Sequence, residues 1–140
     1  MEKIYDISQL DLSNYVRRGD RVVWGQAQAE PIPLTQNLIQ NRKKIGKFKI
    51  FLGISQFPTC LPEYSEHIEY LSYCGAGYNR TLAQHQVLDI LPVHYSQLPR
   101  LIEDQQLKLD IVLIQVSAAN AQGQYSYSLA QDYLKSALRH

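Results

Sequence analysis

Leu-Asp-Ile-Val-Leu-Ile-Gln-Val, residues 109–116, is the stretch that decides the fold. Its apolar run is nearly continuous, as in a strand covered on both faces, and such strands belong to parallel sheets. Shorter runs of the same kind stand upstream. Arg-Val-Val-Trp (21–24) stops at Gly25, and Phe-Lys-Ile-Phe-Leu (48–52) stops at Gly53. Residues 67–73 alternate apolar and polar side chains and lead into Cys74-Gly75-Ala76-Gly77, and Val87 to Leu91 is a fourth run ahead of Pro92. Between them lie helical patterns. Residues 34–44 place Leu34, Leu38 and Ile39 at helical spacing, with Pro31 and Pro33 where a helix can begin and Gly46 where it can end. Residues 95–104 put Leu98, Leu101 and Ile102 on one side. Residues 129–138 do the same with Leu129, Tyr133, Leu134 and Leu138. Residues 56–65, with Pro58 and Pro62, read as loop. Strands alternating with helices predict an α/β fold: a mainly parallel sheet, helices on both faces, and one domain over 1–140. A doubly wound domain normally continues to a further strand after such a helix, so the expectation is a truncated or shortened chain.

Composition narrows the function. Of 140 residues 45% are hydrophobic and 19% charged, which suits a globular protein. A net charge of +1 favours no nucleic acid, and Arg42-Lys43-Lys44 reads as a solvated helix end. No apolar run approaches the roughly 20 residues that span a bilayer. The start Met1-Glu2-Lys3-Ile4-Tyr5 lacks the apolar core of a signal peptide, so a cytoplasmic protein is expected, with neither membrane nor nucleic acid as partner. Cys60 and Cys74 form no paired motif, and His67, His85, His94 and His140 are scattered, so the expectation is two free thiols and no metal site. The ten tyrosines suit sheet surfaces and interfaces.

In a parallel sheet, ligands bind beyond the carboxyl ends of the strands. Small residues follow every predicted strand: Gly25-Gln26-Ala27-Gln28-Ala29, Gly53-Ile54-Ser55, Cys74-Gly75-Ala76-Gly77, His94-Tyr95-Ser96, and Ser117-Ala118-Ala119-Asn120 with Gly123 beyond. They let backbone N–H groups approach a ligand closely. Each loop alone is an ordinary turn; together they make a rim. Glu30, at the predicted start of a helix, reads as a partner of the helix dipole. His94 reads as a structural hydrogen-bonding residue.

At these loops the sequence resembles a known family. Gly-Asp-Arg-Val-Val-Trp-Gly-Gln-Ala-Gln-Ala-Glu-Pro-Ile-Pro-Leu (19–34), Cys-Gly-Ala-Gly-Tyr-Asn-Arg (74–80), Leu-Pro-Val-His-Tyr-Ser-Gln-Leu-Pro-Arg-Leu-Ile (91–102) and Leu-Asp-Ile-Val-Leu-Ile-Gln-Val-Ser (109–117) come in the order of the acetyl-CoA hydrolase/transferase family, which includes 4-hydroxybutyrate CoA-transferase. The resemblance implies two similar α/β domains with the active site between them. It implies a glutamate nucleophile in the carboxy-terminal domain that forms a glutamyl-CoA thioester, a case of covalent catalysis. That domain lies outside this sequence, and Glu30, Glu63, Glu66, Glu69 and Glu103 do not match its motif. The chain is therefore expected to hold no catalytic residue and to be inactive alone. By the same resemblance, Gly25, Gln26, Ala27, Gln28 and Ala29 form a wall of the acyl-CoA pocket, with donors for an oxyanion. Gly75, Ala76 and Gly77 face the same cleft, with His94 and Ser117 as lesser candidates. The implied substrates are an acyl-CoA thioester and a short carboxylate, as in acetate metabolism, with no permanently bound cofactor, in an oligomer. Two departures stand out. The first loop is poorer in glycine than is usual in the family, and Ser117-Ala118-Ala119-Asn120 replaces Ser-Pro-Pro-Asp. Two alternatives remain at this point: a non-catalytic remnant that binds a partner chain, and a small-molecule enzyme of the same broad fold, such as a sugar-phosphate isomerase.

Overall fold

The computed structural model describes residues 6–139; the start at residues 1–5 and His140 lie outside them. Five strands form one sheet: β1 (Arg21–Trp24), β2 (Phe48–Leu52), β3 (Ile68–Ser72), β4 (Leu88–Ile90) and β5 (Ile111–Leu113). Their order is β4-β3-β2-β1-β5, and every pairing is parallel. The register places Val22 beside Ile50 on one side and Ile111 on the other. The chain thus steps outward from β1 to β4 and then returns to the far side of β1.

The helices explain that path. α1 (Ile32–Ile45) and α2 (Asn79–Gln84) cover one face, and α3 (Leu98–Glu103) and α4 (Leu134–Ala137) cover the other. Reversing both direction and face keeps one hand for both excursions, as the twist of parallel strands requires. Alternate side chains feed the two cores. Val22, Trp24, Phe48, Ile50 and Leu52 join Leu38 and Leu82 on the first face. Val23 and Phe51 join Leu98, Ile102, Tyr133 and Leu134 on the second. Phe48, Phe51 and Tyr70 are almost wholly buried, each worth roughly 1.5–3 kcal/mol in transfer terms.

β1 and β2 fall at the bounds their apolar runs predict. Other elements differ. The expected helix over 34–44 begins at Ile32, after Pro31, and ends against Gly46. Arg42, near its end, is only half exposed. Its guanidinium lies 4.1 Å from the Tyr64 ring centroid and donates to the Ile39 carbonyl, so it is more than a solvated cation. The segment read as loop over 56–65 contains a 3₁₀ turn at Pro62–Glu66. The strand expected over 109–116 shortens to β5, because among the described residues it pairs with β1 alone, over Ile111 to Leu113. The helix expected over 129–138 shortens to α4, since Ser128 and Asp132 take left-handed backbone angles (φ 62° and 39°). Residues 95–104 divide into a 3₁₀ turn, Tyr95–Gln97, and α3. α2 has no counterpart in the sequence reading. No described helix is long and apolar enough to cross a membrane. Among the described residues no group of three or more His, Cys, Asp or Glu is placed to hold a metal.

Candidate functional site

The carboxyl ends of β1, β2 and β3 are tied into one layer. Beyond β1 the chain makes a 3₁₀ turn, Ala27–Ala29, with Ala27 in the left-handed region at φ 52°. That turn presents the Ala27 N–H to the Ile54 carbonyl at 2.8 Å. Gln26 completes the tie: its side-chain Oε1 accepts from the Ile54 N–H at 3.1 Å and from the Tyr73 hydroxyl at 2.8 Å. Gly53 makes this approach possible. A Cβ there would sit 2.5 Å from Gln26 Cβ and 2.6 Å from the Tyr133 hydroxyl.

The β2 and β3 ends join in the same way. Ser55 and Gly77 form a parallel bridge, and the Tyr78 N–H donates to the Ser55 carbonyl at 2.9 Å. Gly77 has φ 62°, and any Cβ on it would collide with the Ser55 carbonyl oxygen. Beneath, buried Asn79 donates to the Gly53 carbonyl at 2.7 Å, while its Oδ1 has no partner. Above lies an open cleft of about 520 Å³, lined by Ser55, Gln56, Gly77, Tyr78, Arg80 and Thr81.

Aromatic rings form a wall on the α3–α4 side. Tyr95 stands 5.4 Å from Tyr73 and 6.5 Å from Tyr133, centroid to centroid, and Tyr133 packs edge-on against Phe51 at 5.6 Å. The Tyr133 hydroxyl donates to the Trp24 carbonyl at 3.0 Å, and that of Tyr95 donates to Asp132 at 2.6 Å. Burial pushes the Tyr73 hydroxyl up to about 12, helped by Cys74 beside it. Burial and then the Asp132 hydrogen bond raise Tyr95, and burial raises Tyr133 well above its ordinary value. At neutral pH all three therefore carry their protons and act as donors.

The predicted pocket residues thus fall into three groups. Gly25 to Ala29 and Gly77 share the knitted layer, with Gly75 and Ala76 on the same loop as Gly77; the Gln28 side chain reaches Gln56 at 2.5 Å. His94 is exposed and caps the turn that carries Tyr95, its backbone N–H donating to Gln97 Oε1 at 2.9 Å. Ser117 lies apart, in an excursion closed on itself. Ser117 and Ser126 exchange hydrogen bonds, and Asn120 Oδ1 accepts from the Gln122 and Gln124 N–H groups. The sequence reading held Tyr95 only as part of a rim loop and Asn79 only within the 74–80 stretch, and it did not anticipate Tyr73 or Tyr133 at the rim. The abundance of tyrosine was the one visible signal.

Glu30 stands just before α1, where the sequence reading put it, and the structure adds its surroundings. It precedes the first turn of α1 and is only 3% exposed. Its Oε1 accepts from Thr35 at 2.9 Å and Thr59 at 2.5 Å. Burial raises its pKa, and the two hydroxyls offset part of the rise. It is a buried carboxyl at the start of α1, held by two hydroxyls. Nearby Cys60 is buried, and burial together with the Glu30 charge pushes its thiol well up, so it is not poised as a nucleophile.

Known proteins share this fold. The structure of RipA from Yersinia pestis superposes with a TM-score of 0.81 at 20% identity, covering 92% of this chain and 32% of RipA. The 4-hydroxybutyrate CoA-transferase structure from Porphyromonas gingivalis gives a TM-score of 0.61 at 22% identity, covering 91% of this chain and 28% of that one. In sequence, the chain is 24% identical over 124 residues to the 4-hydroxybutyrate coenzyme A transferase of Clostridium kluyveri. That match takes in 87% of the chain but spans only 29% of the relative's length. Residues 2–140 match the acetyl-CoA hydrolase/transferase N-terminal domain along almost their whole length, and the chain belongs to that family.

Proposed function

We propose that this chain supplies one wall of the active site of an acyl-CoA:carboxylate CoA-transferase or acetyl-CoA hydrolase. The observation that carries the reading is the family match across residues 2–140. The layer at the carboxyl ends of β1, β2 and β3 then stands where an α/β sheet holds its ligand. The covalent step belongs to a glutamate outside these 140 residues. Its carboxylate attacks the acyl thioester carbonyl and expels the CoA thiolate, giving an acyl-glutamyl anhydride; the thiolate then attacks the glutamyl carbonyl and releases the acyl group as its carboxylate, leaving a glutamyl-CoA thioester that a carboxylate acceptor or water resolves. The chain's own contribution is to bind the acyl end, orient it and shield it from water on one side. The wall comprises Gly25, Gln26, Ala27, Gln28 and Ala29 with Gly75, Ala76 and Gly77. His94 acts indirectly, by setting the turn that carries Tyr95. The hairpin-like excursion at Ser117 gives no comparable support for that residue.

The wall needs a facing surface. A second polypeptide segment, in the same protein or in an oligomer, would supply it, a reading supported by the chain's covering only 29% of its curated relative's length.

The test uses the chain itself with acetyl-CoA and acetate. Saturable binding without release of free CoA, followed by thiol titration, is the expected result. Turnover by the 140 residues alone would place the nucleophile within them and overturn the proposal.

A further inference from the structure

We infer that Gln26 is a substrate-binding residue in its own right, and that its side-chain amide Nε2 donates to an sp² oxygen of the ligand. The inference rests on the proposed site and gives one residue in it a chemical role. Its orientation follows from valence. The Ile54 backbone N–H can only donate, so the Gln26 atom facing it at 3.1 Å must be the carbonyl oxygen. The Tyr73 hydroxyl donates to the same atom. It keeps its proton at neutral pH, because burial holds its pKa up near 12. Two donors on Oε1 fix the amide plane and leave the NH₂ group pointing the opposite way. Among the described residues that NH₂ has no hydrogen-bond partner, and it is not sealed in the interior. The stem is fixed too, since Gln26 Cβ packs over Gly53 with no room for a methyl group.

A donor held this firmly is preorganised: binding costs little side-chain entropy and no rearrangement of partners. The ligand class follows from the donor. An uncharged N–H pair at a rim with few charges suits a carbonyl or carboxylate oxygen of a short acyl group. The thioester carbonyl and the acceptor carboxylate share this chemistry.

The test is a titration of the ¹⁵N-labelled chain with acetate, with acetyl-CoA and with free CoA. The Gln26 side-chain NH₂ signal is identified as the pair lost in Gln26→Glu. That variant keeps an oxygen for Ile54 and Tyr73 and turns the free donor into an acceptor, so the loop should hold. The expected result is a saturable shift of that pair and a Kd at least tenfold weaker in Gln26→Glu. Tyr73→Phe, which frees the amide to rotate, should weaken binding about threefold. A shift with acetate identifies the carboxylate as the ligand; a shift with acetyl-CoA but not with CoA identifies the thioester carbonyl. Equal affinity in wild type and Gln26→Glu would overturn the role of Gln26 and leave the site standing. Failure of the wild-type chain to bind acetate or acetyl-CoA would overturn the site reading, and the inference with it.

Discussion

The two ends of the sheet are built from different interactions. At the carboxyl end, hydrogen bonds between uncharged groups link Gln26, Gly53, Ile54, Ser55, Tyr73, Gly77 and Asn79, mostly out of water. At the amino end, charges dominate. Lys108 meets Asp110 at 2.7 Å and Lys47 meets Glu69 at 3.4 Å. Shallow clefts of about 170 and 220 Å³ lie among Arg18, Arg21, Lys47, Lys49 and Lys108. Directional bonds in a shielded layer fix geometry to fractions of an ångström. Exposed ion pairs fix little, since water and salt compete for both partners. One end of this sheet holds its polar groups in fixed positions; the other leaves its charges solvated.

The sharpest way to break this contrast is Gly77→Ala. The new methyl would meet the Ser55 carbonyl, and φ 62° is strained for alanine. The expected loss is about 2–4 kcal/mol, read from urea midpoints. A loss under about 1 kcal/mol would mean that the β2–β3 tie is loose.

A smaller effect comes from Glu30. Its folded-state pKa is raised by burial. Protonation therefore favours the folded state, and the associated stability is fully present below the unfolded value near 4.5. It is lost as pH rises through the folded value. Glu30→Gln should flatten that decline. Parallel pH profiles of unfolding for wild type and variant check it, and two superimposable profiles would show that the carboxyl is effectively solvated.

The smallest effect belongs to the amino end. Lys47→Ala breaks an ion pair whose side chains are 54% and 49% exposed. The expected change in Tm is below about 2 °C, shrinking further in 0.5 M salt. A larger, salt-resistant drop would dissolve the distinction between the two ends.

Legibility in the sequence followed the range of the interaction. β1 and β2 were readable to the residue, because Val22-Val23-Trp24 and Ile50-Phe51-Leu52 are bounded by Gly25 and Gly53. The resemblance in the loops carried the family. α2 was not readable: six residues, Asn79–Gln84, with Leu82 as their one buried apolar anchor, carry no period. The strand over 109–116 was overread, because an apolar run does not reveal that its sheet neighbour stops at Trp24. At the site, Gln26 stood out only as part of a small-residue loop. What locks it comes from Ile54 and Tyr73, 28 and 47 positions away. The tyrosine wall likewise draws on Phe51, Tyr73, Tyr95 and Tyr133, which no local pattern connects.

The return of the chain to β1 also has a kinetic consequence. The β1–β2 pairing closes across the single helix α1, whereas Arg21 meets Asp110 across 89 positions. Closing so long a loop carries an entropic cost that short-range pairings avoid, and such contacts form slowly. β1, α1, β2 and β3 are therefore the natural folding nucleus, and β5 with α4 the late arrivals. Tyr133, which caps the Trp24 carbonyl, arrives with that last segment, so the tyrosine wall is completed only as folding finishes.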